Sequence, residues 1–142
     1  MDKNKKRFVK YGIILLCLTF FWNTCFMPDP ENNRKFKKNL DVELTPDVKD
    51  ICYYSDFIGI DFSVYLAFTC DSSTIQRIIK EKELKLADDK DMGGLSGYLS
   101  WWDQEKINTI RPYKRGDGHK EVCQYLWYDK DNKKAYYQKF SM

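Results

Sequence analysis

Residues 60–70 read IDFSVYLAFTC. Ile60, Phe62, Val64, Leu66, Phe68 and Cys70 occupy alternate positions, and Asp61, Ser63, Tyr65, Ala67 and Thr69 fill the gaps. Side chains alternate across a strand with a period of two, so this run predicts a half-buried β-strand with its even-numbered face in the core. A helix cannot satisfy the pattern, because its 3.6-residue period would scatter these apolar positions around the axis. The chain must therefore build a sheet, and the remaining sequence has to supply the neighbouring strands.

DICYYSDF (50–57) is rich in β-formers, and Gly59 separates it from the alternating run. The two predict a first hairpin. SSTIQRIIKEKEL (72–84) predicts a helix over 74–84. Ser73 with Gln76 three later forms a capping-box pattern, and Ile75, Ile78, Ile79, Lys82 and Leu84 keep a helical stripe. Paired glycines mark 87–97 as a loop. SWWDQEKINTI (100–110) predicts a short helix with Ser100 as N-cap, and 111–121 a polar loop. VCQYLWYD and KAYYQKF, joined by Lys130–Lys133, predict a second hairpin that ends near the C-terminus with an open edge. The order β-β-α-(α)-β-β lacks βαβ spacing. It predicts an α+β fold: a small antiparallel sheet of two hairpins, with one or two helices packed on one face.

The N-terminal third has a different character. Lys3, Lys5, Lys6, Arg7 and Lys10 form a basic n-region over 1–10, and an apolar run follows over 11–27. Basic flanks hold the cytoplasmic side, so the run predicts a transmembrane anchor or signal segment with the body outside the plasma (inner) membrane. Trp22, Asn23 and Thr24 lack the small residues of a cut site, which disfavours cleavage. Cys25, where the run stops, is the candidate lipidation site. Pro28 and Pro30 then stop any helix, and 28–44 reads as a polar tether, leaving 45–142 as the extracytoplasmic domain.

Charge follows this division. The chain carries a formal +3, yet residues 41–142 hold 15 Lys and Arg against 18 Asp and Glu, a net of −3. The basic excess belongs to the membrane flanks. A nucleic-acid-binding domain should wear it on the fold, so nucleic acid is excluded as a partner.

Catalytic chemistry is sparse. His119 is the single histidine and sits in a Gly/Lys-rich loop; a nucleophilic pair would need Cys52, Cys70 or Cys123 beside it. Two of these three cysteines could instead form a disulfide outside the cytoplasm. DKDNKK (129–134) lacks the glycine and third oxygen of a calcium loop, and GGLSG (93–97) lacks a phosphate-loop ending. No catalytic set, metal or cofactor is expected. The aromatic residues stand out more. Alternation puts Tyr125 and Trp127 on one face of a strand and Tyr128 on the other, and a sheet covered once cannot bury both. Trp101, Trp102, Tyr125, Trp127 and Tyr137 are therefore the expected exposed interaction surface.

Residues 44–79 resemble a pattern in small uncharacterised bacterial envelope lipoproteins. The matching positions are Leu44, Pro46, Asp61, Phe68 and Thr74, and LWYDKDNKKAYY is similar to their closing hairpin. The resemblance implies a membrane-tethered domain on the outer side of a bacterial plasma membrane, and implies no activity. The expected function is a non-enzymatic protein-interaction module of the envelope, an accessory subunit or immunity-type protein with an unknown protein partner. The alternative is a domain that binds cell-wall glycan through exposed Trp and Tyr; a hydrolase ranks below both.

Overall fold

The computed structural model describes residues 29–88, 99–116 and 122–141. The anchor expected over 11–27, Cys25 and His119 lie outside the described residues. No described helix is long and apolar enough to cross a membrane.

Helix α1 (Pro30–Leu40) comes first. Asp29 caps it by accepting from the Glu31 N–H at 2.9 Å, and Pro30 takes the position where a missing N–H costs nothing. Asp41, with φ 54°, closes the other end through its N–H to the Lys37 carbonyl. Strands β1 (Lys49–Ile58) and β2 (Asp61–Thr69) form the first hairpin. Helix α2 (Ser72–Glu81), the two-residue β3 (Lys85–Leu86), the one-turn α3 (Gln104–Ile107) and β4 (Tyr113–Arg115) follow. Strands β5 (Cys123–Asp129) and β6 (Lys134–Phe140) close the chain. The six strands form one antiparallel sheet in the order β1-β2-β6-β5-β4-β3.

The register fixes both faces. Leu66 faces Tyr137, and Tyr137 faces Leu126, on one side. That side packs against Phe36 and Leu40 of α1 and Ile75 and Ile78 of α2. Ala67, Tyr136 and Trp127 align on the other side, beneath Trp102 and Ile107. The small antiparallel sheet is as expected; the helices are not confined to one face.

Four further expectations change. The tether expected over 28–44 contains α1, whose Phe36 and Leu40 are fully buried, so the folded unit includes Pro30–Leu40 and does not begin near Thr45. Strand β6 is central, between β2 and β5, so the open edges are β1 and β3. The N-cap of α2 is Asp71, not Ser73, and the N-cap of α3 is Asp103, which accepts from the Lys106 N–H at 2.9 Å, not Ser100. The polar loop expected at 111–121 contributes β4, which pairs with β5 and β3.

Candidate functional site

The rings expected on the surface largely form a second core. Trp102 is 5% exposed, Trp127 1% and Tyr137 0%. Trp102 sits edge-on to Tyr65, Tyr136 and Trp127 at centroid distances of 5.2, 5.5 and 6.1 Å. Such T-shaped contacts set positive ring edges against negative faces. The Trp102 Nε1–H donates to Gln104 Oε1 at 3.1 Å, so its polar atom is satisfied. Tyr137 lies on the opposite face and donates its hydroxyl to Gln124 Oε1 at 2.7 Å. Burial drives its phenol pKa upward. Trp101 and Tyr125 are half-buried, with Tyr125 stacked on Trp127 at 5.4 Å. The five residues therefore do not make one surface. The segment from Leu99 to Ile110, which carries Trp101 and Trp102, covers the second face of the sheet and closes over Trp127 and Tyr136.

The exposed apolar surface lies instead at the β1–β2 turn. Phe57 is 69% exposed, Ile58 76% and Ile60 96%. Ile60 was expected in the core because it continues the even-numbered alternation. It sits in the turn, before β2 begins at Asp61, so the pattern outruns the sheet. Gly59, at φ 65°, is the first central residue of a two-residue connection between Ile58 and Asp61. A primed turn with Gly first matches the twist of a tight hairpin. Ser141 ties down β2 just behind the turn, its N–H donating to the Phe62 carbonyl at 3.0 Å and its Oγ accepting from the Phe62 N–H at 3.2 Å. Lys139 lies 5.8 Å from the Phe62 ring centroid. Residues 58–61 project past this point, with Phe57 level with Phe62. Asp56 and Asp61 flank the apolar tip, with a dent of about 60 Å³ between them that is too small for a metabolite.

Strand β1 is an edge, but a blunted one. The pair Ile58–Asp61 closes the turn, so odd-numbered β1 residues turn their N–H and C=O groups outward. Asn32 of α1 donates to the Ile51 carbonyl at 2.9 Å, and the Asp56 carboxylate accepts from the Phe57 N–H at 2.8 Å. Both ends of the edge are thus occupied from within the chain. An added strand would find one outward group taken at each end of a short ladder, which disfavours strand addition and leaves side-chain contact at the tip.

The cysteines do not converge. Cys52 faces Ala67 on one side of the sheet, while Cys70 packs in the core of the other. Cys123 pairs with Phe140, at the end of β6 remote from Lys134 and Cys70. Six residues of strand separate the two ends, roughly 20 Å, far beyond the 7 Å limit for bridged Cα atoms. The expected disulfide among Cys52, Cys70 and Cys123 is therefore excluded by register. Burial, reinforced by the Asp47 and Asp71 carboxylates, pushes the Cys70 thiol up to about 12, and burial raises Cys52 as well. Both hold their protons at neutral pH and are poor nucleophiles. Among the described residues no group of His, Cys, Asp and Glu is assembled to hold a metal ion.

No family model, curated protein or solved structure matches the chain, so its function is read from its own surface.

Proposed function

We propose that this chain is a non-enzymatic protein-interaction module of the cell envelope. It is tethered to the plasma membrane through residues 11–27, with its body on the extracytoplasmic side, and acts as an accessory subunit or immunity-type protein. The observation that carries the reading is the exposed apolar tip Phe57-Ile58-Gly59-Ile60, at the end of a hairpin whose edge is partly occupied from within the chain. Exposed apolar side chains of this size, clustered and rimmed by charge, mark partner sites. Asp56 and Asp61 define the partner's chemistry as an apolar pocket with a basic rim. The tip lies roughly 20 Å along β1 from Ile51, where the start of α1 docks, and so lies far from the N-terminal end of the described body. That separation favours a protein partner over the bilayer. The glycan alternative draws less support, because Trp102 and Trp127 offer no open ring face for stacking.

The test is recovery of a stoichiometric partner from gently extracted membranes. Phe57→Ser with Ile60→Ser should lose it, and Leu86→Ser, an exposed apolar residue elsewhere, should keep it. An unchanged set of proteins bound to the tip variant would refute the proposal.

A further inference from the structure

We infer that a second site, independent of the hairpin tip, binds a small amphiphilic carboxylate. A cavity of about 430 Å³ opens beside the first turns of α2, at the end of the sheet opposite the tip. This volume falls in the range of small-molecule sites. Its apolar lining comes from Ile75, Leu86 and Ile110, and its charged lining from Arg111 and Lys130. Ser72 and Gln76 add hydrogen-bonding groups.

Charge identifies the ligand. The body from 41 to 142 is net −3, yet the described residues lining this cavity include two cations and no carboxylate. The dent at the tip is instead lined by Asp56 and Asp61. A wider cavity of about 770 Å³ along β3 mixes Glu83 and Asp88 with Lys85 and Arg115, and Arg115 already pairs with Glu83 at 3.1 Å. No ion pair among the described residues includes Arg111 or Lys130. Arg111 donates its Nε–H to the Ala87 carbonyl, which orients the guanidinium and leaves its terminal amino groups for a forked bond to a carboxylate. Solvent reaches both cations, so charge alone would hold an anion weakly. The apolar floor must contribute, which requires a ligand with an apolar body behind its carboxylate.

The experiment titrates the full chain, in nanodiscs of zwitterionic lipid, with 3-phenylpropanoate. The controls are 3-phenylpropanamide, which lacks the charge, and acetate, which lacks the apolar body. Saturable binding of phenylpropanoate is expected, with both controls weaker by about tenfold or more. Lys130→Gln and Arg111→Gln should each weaken phenylpropanoate severalfold and leave the amide unchanged. Among the described residues the Lys130 side chain has no hydrogen-bond or ion-pair partner, so its variant decides the matter if Arg111→Gln disturbs folding. Phe57→Ser should have no effect, which separates this site from the partner surface. Absence of saturable binding, equal affinity for the amide, or unchanged affinity in both variants would overturn the inference.

Discussion

Trp127 and Ile60 are both large apolar residues and have opposite roles. Truncating buried Trp127 to Ala removes its ring contacts with Trp102 and Tyr125 and should cost about 3–5 kcal/mol in denaturant unfolding. Ile60→Ser removes almost no buried surface and should change stability by less than about 0.5 kcal/mol. The alternation in 123–129 put Trp127 on the correct face, while the alternation in 60–70 ran one residue past the strand and misplaced Ile60. What it could not contain is whether a face is covered, because that depends on residues 99–110 folding back over the sheet. Asp47 makes a second prediction at this scale. Burial opposes its charge, but hydrogen bonds from Thr45, the Asp71 N–H and Thr74 outweigh this and lower its pKa from 3.8 to about 2. A depressed carboxylate stabilises the fold above its unfolded pKa and loses that contribution as pH falls through the folded value. Urea midpoints should therefore fall between pH 4 and pH 2 in the wild type, and less steeply in Asp47→Asn.

Turns and caps set the elements. Gly59 has φ 65° with open space around its Cβ position, whereas Gly116 has φ 91° and would place a Cβ 2.9 Å from the Val122 carbonyl oxygen. Alanine at 59 should cost about 1 kcal/mol, from backbone strain alone. Alanine at 116 should cost more, about 2–3 kcal/mol, because strain adds to a clash with backbone. Thermal unfolding of the two variants compares them directly. Both hairpins and α2 were legible because period and turn residues agree there. The caps were less so: Asp71 and Asp103 lie within three residues of plausible serines, and local sequence does not rank them. Asp71 spends its carboxylate on Lys133 at 2.8 Å instead of on the helix, a choice made by tertiary position.

The molecule is a sheet held between two cores, and α1 belongs to it. Its sequence, PENNRKFKKNL, has just two large apolar residues, which is why it reads as tether. Those two, Phe36 and Leu40, are both fully buried, and Phe36 meets Phe68 edge-on at 4.9 Å. Phe36→Ala should cost about 3–5 kcal/mol, where a tether residue would cost nothing. The acidic rim of Asp56 and Asp61 around the apolar tip should make any contact made there salt-sensitive. The central claim is that Ile60 touches a protein. A photo-crosslinking amino acid at position 60, in the full chain on its native membranes, tests it against the same group at Lys80 on the exposed side of α2. The account predicts a discrete cross-linked species at 60 that is absent at 80 and diminished by Asp56→Lys with Asp61→Lys. Identical products at 60 and 80, or none at 60, would contradict it.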